Sequence, residues 1–96
     1  MSKNQENTVR NNTDDRQFEL MIDGKLSMIG YVMQGENTIV FTHTEVPEGL
    51  EGRGIASCLA KAALEFAKSK GLAVIPLCPF VKSYFHRHSG YQPLVK

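Results

Sequence analysis

The stretch from Thr38 to Cys78 constrains the fold most, because its apolar pattern changes period twice. A run rich in β-branched residues is followed by a loop with three glycines, Gly49, Gly52 and Gly54. Apolar residues then recur at helical spacing up to Gly71, which is predicted to close the helix, and the continuous apolar run LAVIPLC follows. This order predicts a β-α-β unit whose last strand is buried on both faces.

The glycine loop has a specific physical use at the start of a helix. The first turn of a helix has unpaired N–H groups and the positive end of the helix dipole, and glycines let the backbone approach an anion closely. Backbone amides of Arg53, Gly54, Ile55 and Ala56 are therefore predicted to face a phosphate or diphosphate. No Gly-Lys-Ser/Thr follows, so nucleotide hydrolysis is not expected, and the spacing is not that of a dinucleotide-binding GxGxxG motif.

The rest of the chain predicts a single small α+β domain. Residues 1–16 contain almost nothing apolar and are expected to form a disordered tail, whereas residues 17–96 are expected to form the domain. Apolar residues alternate on both sides of Asp23-Gly24, a two-residue hairpin signal, and the third strand is predicted over Thr38–Glu45. Phe18, Leu20 and Ile22 share one face of the first strand, and the second strand carries Leu26, Met28, Gly30 and Val32.

Composition argues against several classes of protein. The net charge of +1 and the pI near 7.8 do not favour a nucleic-acid binder. Every apolar run is much shorter than the stretch of about 18 residues that a membrane span needs. The N-terminus has no apolar h-region of a secretory signal. The two cysteines are a weak disulfide signal, which suits the cytoplasm, and no set of residues has the spacing of metal ligands. A monomer or a weak homodimer is expected.

The motif LEGRGIA before an amphipathic helix resembles the coenzyme A diphosphate-binding signature of the GNAT acyltransferase superfamily, Gln/Arg-x-x-Gly-x-Gly/Ala. Gly54 and Ala56 match its last two positions, whereas Glu51 stands where Gln or Arg is usual. Together with HTEVP, PLCPF and a closing block with histidine and tyrosine, the motif resembles the short single-domain GNAT family, the YjdJ-like group of small N-acetyltransferases, over roughly residues 17–95.

This resemblance implies a GNAT-like mixed sheet in which an antiparallel meander leads into a β-α-β-α core that binds acetyl-CoA. The N-terminal strand and helices of larger members, which help to shape the acceptor site, are missing or shortened. Acetyl-CoA is the implied co-substrate, and a small-molecule or protein amine is the implied acceptor. The residues expected to bind the cofactor are Thr44, Val46, Gly52, Arg53, Gly54, Ile55, Ala56, Ser57, Cys78, Pro79, Tyr84 and Phe85.

Transfer of an acyl group to an amine requires a base, and Glu45 is the preferred candidate with His43 second. A solvated strand-end carboxylate and a packing histidine are the alternatives for these two residues. Many superfamily members protonate the leaving thiolate with the Tyr of a Phe-Tyr-x-x-x-Gly-Phe pattern. Here Phe85 and Gly90 match that pattern, and His86 stands at the Tyr position, so that His86 or Tyr84 is the candidate acid.

Cys78, at the end of the buried strand, has three interpretations: a transiently acylated nucleophile, a wall of the thiol tunnel, or an inert core residue. Three functions correspondingly stay open. The first is an acetyl-CoA-dependent N-acetyltransferase. The second is a coenzyme A-binding sensor or interaction module with little catalysis. The third is a protein-interaction domain whose glycine loop is only a tight connection.

Overall fold

A computed structural model describes residues 9–88 and 90–91. In chain order its elements are β1 (Arg10–Asn12), β2 (Gln17–Ile22), β3 (Lys25–Gln34), β4 (Thr38–Glu45), α1 (Ile55–Ser69), β5 (Ala73–Pro76) and α2 (Pro79–Arg87). The strands form a sheet of order β1-β2-β3-β4-β5, antiparallel except for the parallel pair β4 and β5. The predicted α+β fold with a mixed sheet is confirmed.

The hairpin between β2 and β3 turns at the predicted dipeptide. Asp23 and Gly24 both have positive φ, 53° and 74°, as a two-residue turn of the hairpin type requires. Ile22 therefore pairs with Lys25, and each step along one strand is matched by a step along the other. Strand β4, which was predicted as the third strand, has its predicted bounds Thr38–Glu45.

The register of this hairpin puts apolar side chains on both faces of the sheet. Phe18 pairs with Ile29, so even-numbered residues of β2 share a face with odd-numbered residues of β3. This face, called the inner face, lies under the helices and holds the core. The even-numbered residues of β3 lie on the opposite, outer face, where Leu26 and Val32 remain 38% and 41% exposed.

Helix α1 packs on the inner face and ends as predicted. Its buried residues are Ile55, Leu59, Ala60, Ala63, Leu64 and Ala67. Gly71 has φ 68° and closes the helix, with bonds from Leu72 N to the Ala67 carbonyl (2.9 Å) and from Gly71 N to the Lys68 carbonyl (3.2 Å). Within the described residues, neither helix is both long and apolar enough to cross a membrane.

Strand β5 differs from its prediction. Val74 is fully buried on the inner face, but Ala73, Ile75 and Pro76 are only half-buried. Ile75 pairs with Val40 on the outer face, over which the helices of the described chain do not pack. The expectation that this strand is buried on both faces is therefore wrong.

The expected disorder of residues 1–16 is wrong for residues 10–16, whereas residues 1–8 lie outside the described residues. Arg10–Asn12 pairs with β2. The buried carboxylate of Glu19 accepts hydrogen bonds from Arg10 (3.1 Å), Asn12 (2.9 Å) and Gln17. Polar contacts to one carboxylate thus order a segment that has little apolar surface to bury.

We expect the contribution of Glu19 to stability to depend on pH. Burial opposes its charge, but the bonds from Asn12 and Gln17 and the charge of Arg10 outweigh burial and hold the pKa of Glu19 below its ordinary value of 4.5. A carboxyl with a lowered pKa stabilises the folded state above the ordinary pKa and loses this effect as pH falls through the folded pKa. Glu19→Gln should therefore cost about 1–3 kcal/mol at pH 7, and less below about pH 4.

Urea denaturation of both proteins between pH 3 and pH 7 measures this difference in unfolding free energy. Glu48→Gln, which changes an exposed carboxylate without a hydrogen-bonded partner in the described chain, is the control and should have little effect. A Glu19→Gln difference that is constant with pH would refute the assignment.

Candidate active site

The glycine loop leaves the start of α1 uncapped. Gly49, Gly52 and Gly54 all have positive φ, at 92°, 81° and 76°. Gly54 is the N-cap residue and supplies no side-chain bond to the helix, whose first backbone bond runs from Cys58 N to the Gly54 carbonyl (3.0 Å). Within the described chain, no group accepts a hydrogen bond from the amides of residues 55–57. These amides and the positive helix end can bind an anion.

A cavity of about 300 Å³ opens at this helix start. Six of the residues predicted to bind the cofactor line it: Val46, Gly52, Gly54, Ile55, Ala56 and Ser57. Three further lining residues were not predicted as binding residues: Leu50, Glu51 and Phe80. Phe80 follows Pro79 in the first turn of α2, and its apolar ring beside a predicted binding residue was the available signal. Glu51 adds a carboxylate to an otherwise anion-binding site.

The side chain of Arg53 lies outside this cavity. It contacts the Asp23 carboxylate at 3.4 Å and borders a neighbouring cavity together with Leu20, Ile22 and Cys58. Arg53 therefore ties the β2–β3 turn to the glycine loop. Only the backbone amide of Arg53, which is the contribution predicted for it, lies near the helix start.

Strands β4 and β5 separate at one point. Their pairing ends with Phe41 and Pro76, while β4 continues beside β3 as far as Glu45. The Phe41 carbonyl accepts hydrogen bonds from both Leu77 N and Cys78 N, each at 3.0 Å. The chain then turns into α2, which leaves a gap beside the last residues of β4.

Thr44 and Cys78 meet across this gap. The Thr44 hydroxyl and the Cys78 sulfur are 2.9 Å apart and share a hydrogen bond. Cys78 is 2% exposed and lies in the core cluster, and its backbone precedes the first residue of α2. Two of the residues predicted to bind the cofactor are thus in contact with each other.

The two candidate bases lie on the outer face. His43 pairs with Gly30 and Glu45 pairs with Met28, so both side chains point away from Thr44. His43 Nε2 is 3.8 Å from a Glu45 oxygen, and His43 Nδ1 is 3.0 Å from the Thr42 hydroxyl. Their side chains are 54% and 72% exposed. The candidate bases are therefore adjacent to each other and open to solvent.

Gly30 makes room for the imidazole. A Cβ atom at Gly30 would lie 2.6 Å from His43 Cε1 and 3.2 Å from the Thr42 hydroxyl. The ring therefore lies directly over strand β3. The sequence reasoning did not select Gly30 for the site; the available signal was a glycine within an otherwise apolar alternation on β3.

Helix α2 carries the remaining predicted residues. Pro79 is its first residue, Phe85 is fully buried in the core, and His86 is exposed; none of them lines the 300 Å³ cavity. Tyr84 is buried and stacks on His88, with ring centroids 3.9 Å apart. Burial is the main reason that the pKa of Tyr84 is raised.

Tyr91 stabilises the segment that follows α2. Its hydroxyl donates to Glu65 at 2.6 Å, and burial together with this bond raises the pKa of Tyr91. The end of the described chain is thereby fixed to α1. Among the residues that the structure describes, no three His, Cys, Asp or Glu side chains form a group that could hold a metal ion.

Comparison with known proteins now adds to this geometry. The profile of the GCN5-related N-acetyl-transferase family matches residues 17–94. The chain belongs to this family. Protein NATD1 of Xenopus tropicalis is 35% identical over 78 residues, which cover 79% of this chain and 72% of that protein. Protein NATD1 of Homo sapiens is 37% identical over 71 residues, covering 72% and 63%.

A solved structure has the same fold as this GCN5-related chain. It is the NMR structure of a GCN5-like proposed N-acetyltransferase from Staphylococcus aureus. The TM-score is 0.74 at 27% sequence identity, and the match covers 95% of this chain and 89% of the other. The predicted resemblance to short GNAT-superfamily proteins is therefore confirmed.

The contact between Gly30 and His43 generates a prediction. Gly30→Ala should displace the imidazole, which is an exposed side chain and free to move, while stability stays within about 1 kcal/mol because alanine is favoured over glycine inside a strand. The ring resonances of His43 in NMR spectra report the displacement, and urea denaturation reports the stability. The same substitution in a His43→Ala background is the control. Unchanged ring resonances would contradict the contact.

Proposed function

We propose that this chain is an acetyl-CoA-dependent N-acetyltransferase, which moves an acetyl group from acetyl-CoA to an amine. One observation carries the proposal. The uncapped amides at the start of α1 open into a cavity whose other walls, Val46 and Phe80, follow the two sides of the β4–β5 gap. An anion site thus continues between the two segments that follow the separated strands. Membership of the GCN5-related family supports this assignment.

In this proposal the diphosphate of coenzyme A binds the amides of Ile55, Ala56 and Ser57, because these donors have no partner within the described chain. The thiol arm extends past Val46 and Phe80 into the gap and ends near Thr44 and Cys78. Glu51 lines the same cavity, and its negative charge would lower the affinity for the diphosphate.

The amine approaches from the outer face, where Glu45 and His43 are exposed. Glu45 accepts a proton from the amine, directly or through water, and His43 at 3.8 Å is the second candidate base. The amine nitrogen then attacks the thioester carbon, the carbon–sulfur bond breaks, and the thiolate takes up a proton. We assign this acid step to Tyr84 rather than His86, because Tyr84 lies in the core cluster together with Cys78, whereas His86 is exposed.

We assign Cys78 to the wall of the thiol site. Its sulfur shares a hydrogen bond with Thr44 and is 2% exposed, which leaves little room for an acyl group on sulfur without rearrangement. Transfer is therefore direct from coenzyme A to the amine. An acetylated enzyme is the one measurable species that would indicate covalent chemistry at this residue.

A coenzyme A-binding sensor or interaction module is the second candidate function. The observation in its favour is the open outer face: Glu45 and His43 are exposed, and the helices of the described chain pack on the other side. An acceptor held only by this surface would bind weakly. Such a protein would bind acetyl-CoA in the same cavity but would not accelerate its reaction with amines.

The diphosphate site is tested with two matched glycine substitutions. Gly54 and Gly71 have φ of 76° and 68°, and a Cβ at either meets nothing within 4 Å, so alanine costs about 1–2 kcal/mol of stability at both. Only Gly54 lines the cavity. Gly54→Ala should weaken acetyl-CoA binding at least about tenfold, roughly 1.4 kcal/mol, in a calorimetric titration. Equal affinities for folded Gly54→Ala and Gly71→Ala would contradict the site.

Catalysis is tested by thiol release from acetyl-CoA with a panel of amines, polyamines and peptides. We expect at least one amine to accelerate release, and Glu45→Gln to reduce the rate about 100-fold because a general base typically contributes that much. The matched control is Glu48→Gln, which removes a carboxylate three residues after Glu45 and does not line the cavity. Binding of acetyl-CoA without acceleration by any amine would favour the sensor function.

The intact mass of the enzyme after incubation with acetyl-CoA belongs to the same experiment. Direct transfer predicts no acetyl adduct at Cys78. An adduct that Cys78→Ala abolishes would replace direct transfer by a covalent intermediate.

A further inference from the structure

A second cavity, of about 460 Å³, lies at the opposite end of α1 from the glycine loop. Its walls come from the β1–β2 turn, from the β3–β4 hairpin and from the end of α1 through Leu72. The volume falls within the range of about 300–1,000 Å³ that is usual for small-molecule sites. The acetyltransferase proposal makes no use of this cavity.

The floor of the cavity is apolar and held in place. Tyr31 is buried, and its hydroxyl donates to Asn11 Oδ1 at 2.8 Å. Phe66 packs edge-on against Phe18, with ring centroids 5.5 Å apart, and remains half-buried. Met33 contributes a large apolar side chain that is 42% exposed. A flat apolar ligand can therefore rest against preformed aromatic surface.

The rim of the cavity is rich in hydrogen-bond donors. Arg16 and Lys70 both line it, and within the described chain neither side chain has a hydrogen bond or an ion pair. The Asn11 amide nitrogen is likewise without an acceptor, because the Tyr31 bond uses the oxygen. Glu36 is the only acidic residue among the lining residues. Two cations and one carboxylate leave one unmatched positive charge.

Part of the cavity wall lies outside the residues that the family profile matches. Asn11 and Arg16 precede residues 17–94, the range that the family profile matches. Along α1, the nearest lining residues of the two cavities are Ser57 and Phe66, which lie ~14 Å apart along the helix axis. Neither Thr44 nor Cys78 is among the residues that line this cavity.

We propose that this cavity binds a small aromatic monocarboxylate. The ring lies against Phe66 and Met33, and the carboxylate lies between Arg16 and Lys70, where charge-assisted hydrogen bonds are available. Glu36 limits the site to a single negative charge. This inference does not depend on the proposed acetyl transfer.

The test is an NMR titration of the full chain with 4-hydroxyphenylacetate, alongside its neutral amide, 4-hydroxyphenylacetamide, as the matched ligand. We expect saturable shifts of the backbone amides of Tyr31, Phe66 and Leu72, with a millimolar or lower dissociation constant, and at least about tenfold weaker binding of the neutral amide. Arg16→Gln and Lys70→Gln should each weaken binding of the acid about fivefold or more, because each removes one charge-assisted contact. Lys68→Gln, on the same helix turn but outside the lining, should not.

Three results would overturn the proposal. The first is the absence of saturable shifts up to about 10 mM acid. The second is equal affinity for the acid and its neutral amide, which would remove the role of the cations. The third is a set of shifts centred on the glycine loop, which would place the acid in the diphosphate cavity. Because all substituted residues are exposed, the variants are expected to fold.

Discussion

The Phe41 carbonyl, which accepts hydrogen bonds from both Leu77 N and Cys78 N, is the contact on which the candidate site depends. It ends the pairing of the parallel strands and starts the turn into α2. Because β4 remains paired with β3 as far as Glu45, strands β4 and β5 must diverge beyond Phe41 and Pro76. The same contact therefore opens the gap, sets Cys78 opposite Thr44 and brings Phe80 to the cavity wall.

Much of the fold could be predicted from local signals. Asp23-Gly24 and the closure of α1 at Gly71 each depend on positive φ angles that few residues adopt, and both are found where they were predicted, as is strand β4. The ordering of residues 10–16 could not be predicted in this way. It depends on the carboxylate of Glu19, which collects three polar partners only once the strands are paired.

The backbone groups of the candidate site could be predicted from the sequence. The positions of its surface side chains could be predicted less well. The glycine spacing indicated the amides at the start of α1 because helix geometry fixes their direction. The position of the Arg53 side chain depends instead on Asp23, thirty residues earlier in the chain, through a contact that no local pattern indicates. Gly30 was missed for a related reason: its proximity to His43 follows from the cross-strand register at the irregularity in the β3–β4 pairing.

The backbone groups at the two ends of α1 differ in their hydrogen bonding, and this difference favours a bound anion at the N-terminal end. At the last turn, the carbonyls of Ala67 and Lys68 are satisfied by Leu72 N and Gly71 N. At the first turn, Gly54 has no side chain to offer, and no acidic residue lies nearby in the helix to complement the dipole. A helix end without internal partners needs water or a ligand. Since Val46 and Phe80, which follow the two separated strands, line the same cavity, a long ligand with an anionic group at one end satisfies both features at once.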